Sequence, residues 1–187
     1  MRIGIFKLPL LLVCASAFVC AAEPGIWLDV PFVKQEKNGC GAASIAMVVQ
    51  FWQRQQGMAV NADSDPTEIQ RSLYSADERG IRASAMEHFF QQHGFRNFAF
   101  AGTPDDLRQH LEKGRPLIVA LKPGDSAALH YLVVVGLNLE ENLVLVNDPA
   151  QRKMLKRDLS GFESEWKGTG HWMLLAVPQS EGPSSAQ

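Results

Sequence analysis

The stretch Asn38-Gly39-Cys40-Gly41-Ala42-Ala43-Ser44-Ile45-Ala46-Met47-Val48-Val49-Gln50-Phe51-Trp52-Gln53 decides how the rest of the chain must be arranged. From Ala42 to Trp52 its residues are apolar on nearly every side, so a helix here has no broad polar stripe to turn toward water. Such a helix, expected from about Gly39 through Gln53, is buried in a core rather than laid on a surface. The polar run Gln53-Arg54-Gln55-Gln56 and then Gly57 bring it to an end.

Upstream, Ile26 to Val33 reads as a short strand broken at Pro31. Downstream, Asp65-Pro66-Thr67-Glu68 has the form of an N-cap, a proline at the first helical position and a capping-box acid, which predicts a helix to about Tyr74. Ser84 with Glu87 predicts another, burying Met86, Phe89 and Phe90 and ending at Gly94. Thr103-Pro104-Asp105-Asp106 predicts a third, with Leu107 and Leu111 on one face and Gly114 as its stop. The pattern then changes. Leu117 to Leu121, His130 to Leu137, Leu143 to Asn147 and His171 to Val177 are β-branched or apolar runs bounded by turn residues. Helices first and strands afterwards point to an α+β fold, with the buried helix lying across a twisted antiparallel sheet.

Composition narrows what such a fold does. The chain has 187 residues, 46% of them apolar and 20% charged, which is the profile of one globular domain. With 18 basic against 20 acidic residues no basic face is on offer, so nucleic acid is not an expected partner. Three cysteines, none in CxxC spacing, make neither a disulfide scaffold nor a zinc ribbon. No repeat at a solenoid period is visible, and the one low-complexity stretch is the C-terminal end.

Residues 1–22 read as a signal peptide. Arg2 and Lys7 precede the apolar run Leu8 to Val19, and Cys20-Ala21-Ala22 supplies small residues for cleavage. The run is shorter than the ~20 apolar residues that span a bilayer, and Pro9 interrupts it, so a membrane association is expected only if the segment is kept as an anchor. Cys14 and Cys20 each follow a valine, where lipoprotein signals resemble one another in a small residue, and lipidation is not expected. The expected organisation is therefore a signal peptide over 1–22, one domain over 23–178 and a flexible tail over 179–187. Cleavage leaves 16 basic and 20 acidic residues, a net −4, with Cys40 as the only thiol of a periplasmic or secreted protein.

A single thiol at the start of a buried helix has two readings. It is a small hydrophobe, or it is a thiolate favoured by the unpaired N–H groups of the first turn and left approachable by Gly39 and Gly41. A nucleophile needs a base, and the base needs an orienting acceptor. Of five histidines, His88, His93 and His110 sit on or at the ends of predicted helices with polar neighbours, where solvation explains them. His130 and His171 both open strands, and hairpin arithmetic separates them. A turn at Glu140-Glu141 makes paired numbers sum to about 281, and a turn one residue earlier moves the partner of 130 from 151 to 149. Asp148 thus lies within about three positions of the point facing His130, and Pro149 holds it extended. Read alone, Asp148-Pro149 is equally an ordinary turn. His171 has no such carboxylate and reads as structural. Gln35, five residues before Cys40, offers a side-chain amide that could join the Cys40 N–H in an oxyanion hole, against the plain alternative of a solvated glutamine.

Taken together, Gln35-x4-Cys40-Gly41-Ala42-Ala43, His130-Tyr131-Leu132-Val133-Val134-Val135-Gly136 and Asn147-Asp148-Pro149 resemble the C39 peptidases, papain-like cysteine proteases that process bacteriocin leaders. The resemblance spans roughly residues 28–177. It implies a papain-like fold with the nucleophile helix packed on the sheet, Cys40 as nucleophile, His130 as general base, Asp148 as its orienter and Gln35 as oxyanion donor. It also implies a polypeptide partner, a secretion-system cargo or leader, cut after Gly-Gly, and no metal or organic cofactor. Transporter-linked members resemble one another in an acidic residue before the cysteine and a Gln about six positions ahead, where this chain has Gly39 and a spacing of five. The expectation is a stand-alone, exported cysteine peptidase. A papain-like binding or chaperone module, and an acyl transferase using the same triad, are its rivals.

Overall fold

The computed structural model describes residues 25–124 and 129–179, so the expected signal peptide and all but the first residue of the expected tail lie outside the described residues. Along the chain run β1 (Ile26–Trp27), α1 (Cys40–Gln55), a 3-10 turn (Ala62–Ser64), α2 (Pro66–Leu73), the short hairpin β2 (Tyr74–Ser75) and β3 (Gly80–Ile81), then α3 (Ala83–Gln92), β4 (Phe95–Ala101) and α4 (Pro104–Glu112). The remainder is β5 (Leu117–Leu121), β6 (His130–Asn138), β7 (Leu143–Asn147), β8 (Leu155–Asp158), α5 (Leu159–Lys167) and β9 (Trp172–Pro178). None of the described helices is long and apolar enough to cross a membrane.

Among the described residues the main sheet has seven strands in the order β4-β9-β5-β6-β7-β8, with β1 paired to β6, and every pairing is antiparallel. Alternation along each strand sorts the core into two layers. Ile118 and Ala120 of β5 join Tyr131, Val133 and Val135 of β6 beneath α1, α2 and α3. Leu117, Val119 and Leu121 join Leu132 and Val134 on the opposite face, beneath α4 and α5. The helix that the sequence marks as buried is so: Ile45, Ala46 and Met47 are fully inaccessible, each large side chain contributing roughly 1.5–3 kcal/mol of burial. The α+β expectation holds, as an antiparallel sheet covered on both faces.

Local sequence signals explain most boundaries. Asp65 caps α2 by accepting from the Thr67 and Glu68 N–H groups, with Pro66 in the first turn. Thr103 and Asp106 form a reciprocal capping box on α4. Gly94 and Gly114, just past α3 and α4, sit at φ 77° and 70°, which glycine adopts without strain. Elsewhere the sequence reading is corrected. Ser84 lies inside α3, whose N-cap is Arg82 and which has no side-chain cap. The upstream strand is confined to Ile26–Trp27. β4, β8 and α5 were not anticipated, and β4 breaks the helices-then-strands order by inserting an edge strand between α3 and α4.

Two features aim the chain at one end of the sheet. The residues between β1 and α1 form an arm that crosses β6, tied by Leu28 N–H donating to the Val135 carbonyl at 2.7 Å. Gly136 permits that crossing, since a Cβ there would stand 2.7 Å from the Ile26 carbonyl oxygen. The arm turns at Asn38, held at φ 58°, and delivers Cys40 as the first residue of α1. The β6–β7 hairpin meanwhile keeps a sum of 281 from Asn138↔Leu143 to Gly136↔Leu145, then slips at a bulge to 280 for Val134↔Val146 and Val133↔Asn147. That slip places the residues after β7 opposite the start of β6.

Candidate active site

Cys40 begins α1 with Gly39 as N-cap, no capping side chain and no acid in the first turn. The positive end of the helix therefore meets the sulfur uncompensated. Cys40 is half-buried and is the one free cysteine among the described residues. Gly41 eases a close approach here: a Cβ would stand 3.0 Å from Ile81 Cβ, a tight contact, so its absence lets β3 pack closely against the start of α1.

His130 opens β6, and its Nε2 lies 2.8 Å from Asp148 Oδ1. The ring also hydrogen-bonds Cys40. With Nε2 engaged by the carboxylate, Nδ1 is the nitrogen left for the sulfur, so Cys40, His130 and Asp148 form one chain of contacts. Asp148 is 2% exposed, and a buried carboxylate needs donors for its lone pairs. It has three, the others being Ala150 N–H on Oδ1 at 2.9 Å and Gln151 Nε2 on Oδ2 at 2.8 Å. Asp148-Pro149 is an ordinary turn, and its Asp148 side chain also faces His130. The Asp148 carbonyl accepts from Gln151 N–H at 2.9 Å, closing a β-turn with Pro149 in its second position, while the side chain faces His130.

Electrostatics follow from these contacts. Burial raises the Cys40 thiol, but the His130 hydrogen bond and charge and the Tyr131 and Gly41 backbone N–H groups outweigh it, and the net shift is downward. Burial lowers His130, yet its hydrogen bonds to Asp148 and Cys40, with their charges, push it up to about 9. For Asp148, burial is likewise overcome by His130, Ala150 and Gln151, and its carboxyl is lowered. Each shift favours an imidazolium between a thiolate and a carboxylate.

Gln35 reaches the same place from the arm. It lines the cleft with Cys40 and His130, and its backbone N–H donates to the Pro149 carbonyl at 3.0 Å, which ties it to the loop that holds Asp148. Its Oε1 is buried without a partner. A buried acceptor left unmet costs about 1–3 kcal/mol, a cost that an idle surface glutamine would avoid by turning out. Asn147 completes the framework: fully buried, it donates from Nδ2 to the Val30 and Pro31 carbonyls of the arm and accepts from Met154 N–H. The cleft, of about 650 Å³, is walled opposite by Glu78, Arg79 and Ile81 of the β2–β3 hairpin and by the first residues of α3. A larger concavity of about 790 Å³ lies at the far end of α1 around Trp52 and His93, and contains no part of this constellation.

The four residues singled out in the sequence thus converge, although they lie on the arm, the helix, strand β6 and the turn after β7. His171 instead packs edge-on against Trp166, as a structural residue would. His93 stacks on Phe89 with ring centroids 3.9 Å apart, and is half-buried rather than simply solvated. Sequence reasoning missed the β2–β3 wall, Asn147 as a clamp and Gln151. Asn147 stood beside Asp148 in a motif already noticed, while nothing in the sequence marked Gln151.

Comparisons with known proteins place the fold and the family. Among curated proteins none matches the chain. In solved structures, a C39-like peptidase from Bacillus anthracis superposes with a TM-score of 0.67 at 16% identity, over 85% of this chain and 100% of that one. The peptidase domain of Streptococcus ComA, a bi-functional ABC transporter involved in a quorum-sensing pathway, gives 0.62 at 20% identity, covering 80% and 98%. A double glycine motif protease from an AMS/PCAT transporter, in complex with its leader peptide, gives 0.61 at 19% identity, covering 83% and 99%. These likenesses establish the papain-like fold of C39 peptidase domains. The model of the Peptidase_C39 like family matches residues 27–173, from the end of β1 into the start of β9. The chain belongs to the Peptidase_C39 like family of cysteine peptidases.

Proposed function

We propose that the protein is an exported peptidase, acting in the periplasm or outside the cell, that hydrolyses peptide bonds of a secreted polypeptide or leader through Cys40, His130 and Asp148. The observation that supports it best is the continuous contact from sulfur to imidazole to buried carboxylate, with the Gln35 amide at the same cleft. The Cys40 thiolate attacks the scissile carbonyl carbon, and the electron pair moves to oxygen. That oxyanion is met by the Gln35 amide and the Cys40 N–H, which the helix leaves unpaired. His130, held protonated by Asp148, gives its proton to the leaving nitrogen as the C–N bond breaks. Water then attacks the thioester while His130 takes the proton, releasing the acid and restoring the thiol pair.

A scissile bond after Gly-Gly is the first to offer, because residues without side chains fit between the hairpin wall and the arm most easily. The experiment compares wild type with Cys40→Ala on a Gly-Gly-containing polypeptide, followed by mass spectrometry of the products. Cleavage to a free carboxyl terminus by wild type, and none by the variant, is expected. Cleavage that persists in Cys40→Ala would overturn the assignment.

A further inference from the structure

Asp148 is the buried end of the triad, and the way its two oxygens are shared is uneven. Oδ1 takes both His130 Nε2 at 2.8 Å and Ala150 N–H at 2.9 Å, while Oδ2 has the Gln151 amide at 2.8 Å. A carboxylate held only through Oδ1 can swing about its Cβ–Cγ bond, and each swing moves the acceptor out of line with the imidazole. The third contact removes that freedom. The turn makes it possible, since the carbonyl of Asp148 accepts from Gln151 N–H and so returns the Gln151 side chain over the carboxylate it must meet. Gln151 is itself an exposed residue at the surface end of this buried group.

We propose that Gln151 is a positioning residue of the active site: by donating from Nε2 to Asp148 Oδ2 it fixes the carboxylate plane and so keeps His130 charged beside Cys40. The inference rests on the triad reading above. The ionisable group that acts on Asp148 is His130, and those acting on His130 are Asp148 and Cys40. A loosened carboxylate therefore lowers the proton affinity of His130, and a less charged His130 raises that of Cys40. The window in which thiolate and imidazolium coexist narrows from both sides.

The test uses the whole mature protein and needs no peptide substrate. Gln151→Ala removes the amide and admits water, whereas Gln151→Met keeps most of the bulk but cannot donate. Cys40 alkylation by iodoacetamide is followed from pH 4 to 10, and the His130 imidazole is titrated by NMR. Both variants are expected to alkylate about three- to tenfold more slowly on the acid limb, as losing one ordinary hydrogen bond implies. Both should titrate His130 below the wild-type value of about 9. Wild-type behaviour of Gln151→Met in both measurements would overturn the proposal, whatever Gln151→Ala does, because covering rather than donation would then be the role. A lowered melting temperature with unmoved limbs would overturn it equally, leaving Gln151 a part of the fold. Wild-type protein with no alkylation below the range of a free thiol would instead remove the triad reading, and this proposal with it.

Discussion

The two sides of the cleft are built on opposite terms. On the base side the polar groups are paired: Asp148 accepts three hydrogen bonds, His130 bonds Asp148 through Nε2 and also interacts with Cys40, and Asn147 uses its amide at both ends. On the nucleophile side atoms are left wanting. Gln35 Oε1 is buried and unpaired, α1 starts without a cap, and the backbone at Asn38 is held at a positive φ. Satisfied networks resist rearrangement, which suits groups that must hold a proton in one place. The unpaired N–H groups at the uncapped start of α1 are donors that a carbonyl oxygen becoming an anion can complete, whereas the Gln35 Oε1, an acceptor, stays unmet. In the proposed mechanism the difference separates two tasks: the base side sets charge before substrate arrives, and the nucleophile side waits for charge to develop.

This division is broken most severely at His130. His130→Ala removes the group that holds the thiolate, leaving burial to raise Cys40. Peptide cleavage is expected to fall by roughly 10³-fold, within the range of general acid–base catalysis, and alkylation at pH 6 by ~10²-fold or more as the thiol loses the imidazolium that lowers it. The sign with pH follows. Below the depressed Cys40 pKa the sulfur is protonated, and above about 9 His130 loses the proton it must donate, so wild-type cleavage is bell-shaped with its alkaline limb near 9. An alkaline limb at the ordinary histidine value near 6.5 would show that Asp148 does not hold the imidazolium.

Gln35→Ala tests the other side and should look different. Oxyanion donors act on the tetrahedral intermediate, so cleavage is expected to drop by about 10²-fold. Alkylation by iodoacetamide passes through no oxyanion, and its rate and pH profile should stay at wild-type values. Stability should hold or rise, because the variant deletes a buried acceptor without a partner. If Gln35→Ala instead shifts the alkylation profile, the two sides are not separable as described.

How much of this was visible in the sequence depends on the range of the interaction. Helix caps at Asp65 and Thr103 and the stop at Gly114 are local, and they were legible. The hairpin sum was legible too, to within the one-residue bulge at Val134–Gly136, because a turn and a period of two fix register. β4 escaped because Phe95, Phe98 and Phe100 do not alternate, an edge strand having no second neighbour to demand it. α5 carries a helical spacing at Leu159, Phe162 and Trp166 and a cap at Asp158, signals that were present and unread. The convergence of Cys40, His130 and Asp148 was legible through their spacing, whereas the hairpin wall and Gln151 were not. Their roles arise from the bend of the chain around Cys40 and from one turn, and neither leaves a period or a composition to see.

The smallest expected effect concerns Asn38, the strained residue two before the nucleophile. Its φ of 58° is one that asparagine tolerates better than most residues and glycine tolerates freely, while a Cβ-branched or plain alkyl residue meets the following carbonyl. Asn38→Ala is therefore expected to destabilise by about 1–2 kcal/mol and Asn38→Gly by little or nothing, both read from urea denaturation. The strain is held by neighbours, since the Asn38 carbonyl accepts from Gln70 Nε2 at 3.3 Å and so links the turn to α2. If the strain serves only to deliver Cys40, Asn38→Gly keeps wild-type alkylation across pH while its added backbone freedom weakens cleavage slightly. Should Asn38→Gly cleave as fast as wild type, the turn delivers the sulfur without needing to be stiff, and the burden of holding the nucleophile side open falls on Gln35 alone.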